Sequence, residues 1–236
     1  MEFAGSASTA KESYNGPLTW SLFDDGAHVE LRGSVGSGVD AFHSWYLRLS
    51  TDSTIRGNSV KIHSHASTIK GDITGTALVH LNSSAEGWPT AVSVPSASPT
   101  ALSSLLLDTD CLLKCAGCEV NIDVNGSVSM IGEVSASTVS VVGGEDIDVS
   151  ADSILTFTGS LVTIWSIRST LTVAGTLSCS GPSCVASLFS YDSMKLWGSV
   201  RCTTTSCRIQ AETKQSLRLE GTSIIEATGY LGIIET

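Results

Sequence analysis

The sequence is poor in the residues that helical and nucleic-acid-binding proteins need. Phe, Trp and Tyr make up 6% of the 236 residues, and Asp, Glu, Lys and Arg make up 15%. A helical bundle rich in Leu, Glu and Lys is therefore disfavoured. Basic residues are scarce, since 13 Lys and Arg stand against 23 Asp and Glu, for a net charge of −10. Such a surface repels phosphate and anionic lipid, so we expect neither nucleic acid nor a membrane surface as a partner.

The chain also lacks a long apolar run. No run approaches the roughly 18–20 residues with which a helix spans a bilayer, so no membrane insertion is predicted. The segment from Met1 to Ser13 has neither a basic n-region nor an apolar h-region, so no signal peptide is visible. The sequence therefore fits an intracellular protein or a mature or excised piece of an exported one. The cysteines favour the exported protein.

What recurs is a short strand pattern, in which two apolar residues at alternate positions are followed two positions later by glycine. A period of two indicates a strand that buries one face. Many copies along one chain indicate a stacked array, in which no copy covers its own apolar face. The clear copies are Val29-Leu31-Gly33, Val128-Met130-Gly132, Leu155-Phe157-Gly159, Leu171-Val173-Gly175, Met194-Leu196-Gly198 and Leu217-Leu219-Gly221.

These copies predict an all-β fold, a parallel β-solenoid with variable corner loops. The spacing between the pattern glycines is uneven, which is typical of a solenoid whose insertions project from its corners. The alternative is an antiparallel β-sandwich, but Asn125-Gly126 is the only hairpin signal of its kind between apolar runs. We expect the pattern glycine to permit a positive φ or a tight bend where a strand meets a corner.

We divide the chain into two parts. Residues 1–16 are polar and rich in Gly, Ser and Ala, and we interpret them as an N-terminal tail or arm. Residues 17–236 are predicted to form a single β-solenoid domain. Three of the five prolines lie within residues 83–103. Because proline cannot occupy a central strand, this segment is predicted to be an excursion loop.

Seven cysteines form three clusters, and the last cysteine of each cluster precedes a pattern glycine by the same 14 residues. The clusters therefore belong to the repeat. The interpretation that we place first is local pairing, with Cys111 left as a free or intermolecular thiol. Disulfides imply an oxidising compartment, and so an extracellular or cell-surface location. The predicted pairs are Cys115–Cys118, Cys179–Cys184 and Cys202–Cys207.

Three alternatives to local pairing stay open. If the last two clusters stack in neighbouring turns, the bonds can run across turns, as Cys179–Cys202 and Cys184–Cys207. A zinc site needs four convergent ligands, and only the Cys115 to Cys118 segment resembles half of one. The third alternative is that the cysteines are reduced residues of the core.

Two short sequons are candidate glycosylation sites. They read Asn82-Ser83-Ser84 and Asn125-Gly126-Ser127. In a secreted eukaryotic protein, Asn82 and Asn125 would be the acceptors. Sequons of this length also arise by chance, so they support export only weakly.

Outward carboxylates are weak candidates for metal binding. Asp146 and Asp148 alternate with Ile147 and Val149, which places both carboxylates on one strand face. Together with loop oxygens they could hold Ca²⁺, or they could act as the acid and base of a glycosidase. A solvated strand face is the interpretation that we place first, so no catalytic residue and no required cofactor is predicted.

Three histidines form a second weak metal candidate. His63 and His65 flank Ser64, and His80 follows His63 by 17 residues, about one turn of a solenoid. A stacked pair of His63 and His80, with His65 nearby, could bind a metal ion or respond to pH. Exposed polar residues of the strands are the default interpretation.

With its glycine-ended strands and serine-flanked turns, the chain resembles the right-handed parallel β-helix class, which includes pectin-lyase-like solenoids and large surface adhesins. The resemblance covers roughly residues 28–228 and is one of fold. Enzymes of that class would bring clustered carboxylates and a basic residue on one face. No such motif is matched here, so the resemblance carries no catalytic residue to this chain.

The last residues of the sequence point to self-association. A solenoid exposes unpaired backbone and an apolar cross-section at each end unless it is capped. The sequence near residue 236 is strand-like and apolar, without an amphipathic capping helix. We expect this end to be covered by another copy of the molecule or by further chain. The residues predicted to make that contact are Ile224, Ile225, Tyr230, Leu231, Ile233 and Ile234.

The expected function is structural. Contact between unlike ends does not close and generates filaments. We therefore expect a non-enzymatic, extracellular structural or adhesive solenoid, which is a subunit of a head-to-tail filament or a rod segment of a larger surface protein. The alternative is a carbohydrate-binding or polysaccharide-degrading β-helix protein. In that case Asp146 and Asp148, or exposed Trp165 and Trp197, would contact surface glycans.

Overall fold

The structure, a computed structural model, describes residues 8–10, 14–15, 18–21, 28–31, 34–36, 39–49, 51, 54–82, 104–202, 204, 206–221 and 223–235. All regular elements of these ranges are β-strands. In chain order they are β1 (Ser8–Ala10), β2 (Tyr14–Asn15), β3 (Leu18–Ser21), β4 (His28–Leu31), β5 (Ser34–Gly36), β6 (Val39–Leu49), β7 (Thr54–Ile69), β8 (Asp72–Asn82), β9 (Ser104–Leu107), β10 (Leu112–Val124), β11 (Ser127–Met130), β12 (Glu133–Gly143), β13 (Ile147–Val149), β14 (Ile154–Phe157), β15 (Leu161–Ser166), β16 (Leu171–Val173), β17 (Thr176–Cys179), β18 (Val185–Ser190), β19 (Ser193–Leu196), β20 (Ser199–Cys202), β21 (Arg208–Thr213), β22 (Ser216–Leu219), β23 (Ile224–Ala227) and β24 (Tyr230–Glu235).

The strands stack in parallel into three faces, and each coil of the chain visits face C, then face A, then face B. Face A contains β2, β5, β14, β17, β20 and β23, with the first parts of β7, β8, β10 and β12. Face B contains β3, β15, β18, β21 and β24, with the start of β6, the middle of β7 and the second parts of β8, β10 and β12. Face C contains β1, β4, β9, β11, β13, β16, β19 and β22, with the ends of β6 and β7. The predicted parallel β-solenoid is confirmed, and the antiparallel sandwich is wrong.

The solenoid pairing begins within the segment that the sequence analysis assigned to a polar tail. Strand β1 pairs with β4, and β2 pairs with β5. Both strands precede residue 17, so backbone pairing includes part of residues 1–16. The predicted excursion loop at residues 83–103 lies outside the described residues.

The core is a single column of apolar side chains along the axis. Inward residues alternate with outward ones on each strand, so β11 buries Val128 and Met130 while Ser129 faces outward. Each buried Leu, Ile or Val contributes roughly 1.5–3 kcal/mol relative to an exposed one. One row of the column stands where face A meets face B, and it stacks Gly75, Cys115, Ala136, Phe157, Cys179, Cys202 and Ala227 in register.

The pattern glycines have a different role from the predicted one at most positions. A Cβ atom added at Gly132, Gly175 or Gly198 would lie less than 3.0 Å from backbone oxygens of the preceding coil. These glycines sit between face C and face A, where successive corners touch. Among the described glycines, positive φ occurs at Gly117 and Gly221. Gly159, just after β14, approaches the backbone oxygen of Ser137 in the preceding coil in the same way. Close approach between coils therefore requires glycine at these four positions, and backbone conformation requires it at Gly221.

Candidate functional site

An aromatic groove lies on the outside of face B. Trp165 of β15, Phe189 of β18 and Glu212 of β21 are outward residues that stand in register on successive strands. Ile167 and Tyr191 follow just beyond the ends of β15 and β18. The groove has a volume of about 420 Å³, and its lining residues are Thr163, Trp165, Ile167, Phe189, Ser190, Tyr191, Glu212 and Lys214.

Two charged side chains flank the aromatic surface. The Lys214 ammonium lies 4.6 Å from the centre of the Tyr191 ring, which is a cation–π contact. Glu212 is partly exposed beside Phe189. The Ser190 hydroxyl is engaged with backbone, 2.8 Å from the carbonyl oxygen of Ser169 and 2.7 Å from that of Ser193. The groove thus combines flat apolar rings with one carboxylate and one ammonium group.

The sequence analysis identified one member of this groove and missed the others. Trp165 was a candidate, and it is 47% exposed. Trp197 was the other, and it is equally exposed but does not line the groove. The signal that could have found Phe189 and Glu212 is the coil period itself, since they follow Trp165 at successive coil spacings.

The coil formed by β22, β23 and β24 has an uncovered apolar interior. Its inward residues Leu219, Leu231 and Ile233 are 51%, 46% and 44% exposed. Their partners one coil earlier are Leu196, Ile209 and Ala211, which are 2%, 1% and 1% exposed. The strand pattern is the same in both coils, and the difference in exposure is that no described coil is stacked on β22, β23 and β24. We call this surface the open coil and define it by its inward residues Leu217, Leu219, Ile225, Ala227, Leu231 and Ile233.

Some of the residues that were predicted to contact another copy at this end face outward instead. Ile224, Tyr230 and Ile234 are in register with the outward residues Ser199, Arg208 and Glu212. They lie on the sides of the rod, and the Arg208 guanidinium stacks 5.1 Å from the centre of the Tyr230 ring. Of the predicted set, Ile225, Leu231 and Ile233 belong to the open coil.

The structure pairs the same cysteines that the sequence analysis paired first. The Cα atoms are 5.2 Å apart in Cys115–Cys118, 6.2 Å apart in Cys179–Cys184 and 5.7 Å apart in Cys202–Cys207. These distances lie within the range that a disulfide spans. All three pairs stand at the corner between faces A and B, so they hold the same edge of the solenoid.

Cys111 is buried, with 2% of its surface exposed. Burial raises the pKa of its thiol to about 12, and the negative charges of Asp72 and Asp108 add to the increase. The residue is therefore a neutral thiol near pH 7 and is shielded from other molecules. This argues against the intermolecular bond that the sequence analysis considered for it.

The acidic candidates are held by structural contacts. Asp148 of β13 and Asp146, which immediately precedes that strand, are both exposed, as predicted. The Asp146 carboxylate accepts hydrogen bonds from the Ser169 hydroxyl and from the Thr170 backbone N–H, so it fastens the next coil. Partial burial and the nearby Asp146 charge raise the pKa of Asp148. Among the described residues, the acidic and histidine side chains form no cluster of three with metal-binding geometry. A Ca²⁺ ion at Asp146 and Asp148 stays the alternative to a solvated strand face.

The predicted stack of His63 and His80 is wrong. His80 stands in register with Lys61, and His63 with Asn82, because this coil is two residues longer than the predicted period. Burial lowers the pKa of His80 and Lys61 lowers it further, while Asp123 and Glu119 act in the opposite direction. The side chains of His63 and His65 lie outside the described part of the structure.

The two sequon asparagines lie at the ends of face B strands. Asn125 is exposed in the turn after β10 and accepts a hydrogen bond of 3.4 Å from the Arg168 guanidinium. Asn82 is the last residue of β8 and is partly exposed. Their glycosylation stays a prediction.

Comparison with protein families, with curated proteins and with solved structures finds no match to this chain. In the part of the chain that the structure describes, no helix has the length and apolar character of a membrane span. The fold and the surfaces described above therefore carry the functional argument.

Proposed function

We propose that the protein is a non-enzymatic, extracellular structural solenoid that assembles end to end through the open coil. The observation that carries the proposal is the exposed interior of the open coil, in which Leu219, Leu231 and Ile233 are about half exposed. The three cystine pairs support an oxidising compartment outside the cell.

The open coil has both the apolar side chains and the backbone groups that a contact between stacked coils needs. Its inward side chains are apolar, so covering them removes apolar surface from water. Strands β22, β23 and β24 each pair on one side with the coil before. The other side presents backbone groups that can pair with an added strand. A first coil of a second copy offers the same parallel geometry, and such contact between unlike ends continues into a filament.

We expect Ile233→Lys to prevent filament formation, because it places a charge inside the contact. Ile234→Lys is the matched control, since Ile234 is the next residue and faces outward at the side of the rod. Electron microscopy and sedimentation over a range of concentrations measure the assembly. The wild-type chain and Ile234→Lys should form rods that lengthen with concentration, and Ile233→Lys should remain monomeric.

A monomeric wild-type chain at high concentration contradicts the proposal. Equal behaviour of the two lysine variants also contradicts it, because the contact would then not involve the interior of the open coil. Circular dichroism of the monomers establishes that both variants keep the strand content of the wild-type chain.

The aromatic groove favours a second function, the binding of a surface glycan. Sugar rings stack their apolar C–H faces on aromatic side chains, and Trp165, Phe189 and Tyr191 provide such faces. Successive coils are about 4.8 Å apart, which is close to the length of one pyranose ring in an extended polysaccharide. A chain of sugars lying along the axis can therefore place one ring on each coil, with Glu212 and Lys214 bonding to hydroxyl groups.

The groove fits binding better than hydrolysis. Most glycosidases use two carboxyl groups on opposite sides of the scissile bond. Glu212 is the one carboxylate among the residues that line this groove. We therefore propose a role in adhesion for the groove and no catalytic role.

We expect Trp165→Ala to weaken glycan binding by roughly two- to tenfold, since the loss of one stacked ring costs about 0.5–1.5 kcal/mol. Trp197→Ala is the matched control, because Trp197 is equally exposed and lies outside the groove. Binding is measured by retardation in gels that contain neutral or acidic polysaccharides. A wild-type chain that binds none of them, or equal losses in the two variants, would contradict this function.

A further inference from the structure

Four buried cysteines converge at one corner of the solenoid. Cys179 and Cys202 are adjacent in register on β17 and β20, between faces A and B. The Sγ atoms of Cys179, Cys184 and Cys202 all lie within 4.8 Å of one another. Cys207 lies outside this group of three but is disulfide-bonded to its member Cys202. Each of the four residues has at most 2% of its surface exposed.

We propose that these four cysteines form a zinc site when their two disulfides are reduced. Structural zinc sites take four thiolate ligands in a tetrahedron with Zn–S distances of about 2.3 Å, which places the sulfur atoms about 3.8 Å apart. The Sγ atoms of Cys179, Cys184 and Cys202 lie within 4.8 Å of one another, so once the disulfides are reduced, side-chain rotations, with that of Cys207 among them, complete the tetrahedron. Both pairs also have four residues between their cysteines, a spacing that is usual for zinc ligands.

Each disulfide accepts two electrons and two protons from a dithiol, which closes to its own disulfide. The four resulting thiols release four protons as they bind one Zn²⁺, so the affinity increases with pH. In a reducing compartment the ion clamps the same corner that the disulfides clamp after oxidation.

The remaining disulfide provides an internal comparison. Cys115 stands in register with Gly75 and Ala136, so no cysteine of a neighbouring coil is in register with it. Reduction of Cys115–Cys118 therefore supplies two ligands at that place, which is too few for a closed zinc site. The two disulfides therefore lie side by side because Cys179 and Cys202 are in register on neighbouring coils.

Co²⁺ is the probe that tests the proposal, because its absorption reports tetrahedral thiolate coordination. The full chain is reduced with a phosphine under anaerobic conditions and titrated with Co²⁺ and then with Zn²⁺. We expect one Co²⁺ per chain with intense thiolate-to-metal bands, and displacement of Co²⁺ by Zn²⁺. The oxidised chain should show no such bands.

Two double variants locate the site. Cys115→Ser with Cys118→Ser should retain the bands, and Cys202→Ser with Cys207→Ser should lose them. The proposal is overturned if the reduced wild-type chain shows no tetrathiolate bands, if the oxidised chain shows them equally, or if only the first variant loses them. The comparison of reduced and oxidised wild-type chain does not depend on the folding of a variant.

Discussion

Gly198→Ala should lower the free energy of unfolding by about 3 kcal/mol, the upper end of the range for overpacking a closely packed site. The added Cβ atom would overlap the backbone oxygens of Gly175 and Ala174 in the preceding coil. Backbone cannot move aside as a flexible side chain does. The two coils must therefore separate, which weakens the hydrogen bonds from the N–H groups of Gly198 and Ser199 to Val173 and Gly175.

Ser199→Ala is the matched control for Gly198→Ala. Ser199 is the next residue, and its hydroxyl is buried without a hydrogen-bond partner among the described residues. Removal of this hydroxyl should leave the stability unchanged or raise it slightly, by less than about 1 kcal/mol. Both variants are measured by chemical denaturation followed by circular dichroism. Equal stability of Gly198→Ala and the wild-type chain would show that the coils do not approach as closely as the structure indicates.

Phe157→Ala should have the largest effect of a core substitution, a loss of about 3–5 kcal/mol. Phe157 is the largest fully buried side chain among the described residues, and it stacks between Ala136 and Cys179 at the corner of faces A and B. Its neighbours are small and belong to rigid strands, so they cannot fill the cavity that the truncation leaves. One of them is also fixed by the Cys179–Cys184 disulfide.

Phe189→Ala provides the comparison for Phe157→Ala. Phe189 has the same side chain, but it points outward into the groove and is only partly buried. Its truncation exposes no new cavity, so the loss of stability should be less than about 1.5 kcal/mol. Denaturation curves of the two variants test the difference. A similar loss in both would mean that the interior is not packed around Phe157.

The strand pattern was predictable because it is local. Alternation along a single strand decides which side chains face inward, and the buried pairs Val128 and Met130, or Leu171 and Val173, follow it. The local disulfides were proposed for the same reason, since their cysteines are three or five residues apart. The glycine at the end of the pattern was recognised from the sequence, but the reason that this position requires glycine was not. The contact that demands it lies in another coil.

The aromatic groove combines residues of different coils, which the sequence alone did not bring together. Trp165 could be recognised as an exposed aromatic candidate, but the groove also needs Tyr191 and Lys214 from later coils. The histidines show the opposite error, in which an assumed period stacked His63 on His80. In both cases the missing quantity is the number of residues in each coil. Corner loops change that number without a change in the strands.

The sequence by itself determined the all-β class and the inward and outward sides of the strands, and it favoured the local cysteine pairs, because each depends on residues within one strand or corner. Only the tertiary structure decided which coils place their residues side by side. The separation of partners varies from eighteen residues for Thr54 and Asp72 to forty-one for His80 and Asn121, between which residues 83–103 intervene. The length of each corner decides which residues pair between neighbouring coils. The groove, the cysteine cluster and the open coil can therefore be located only when all coils are stacked.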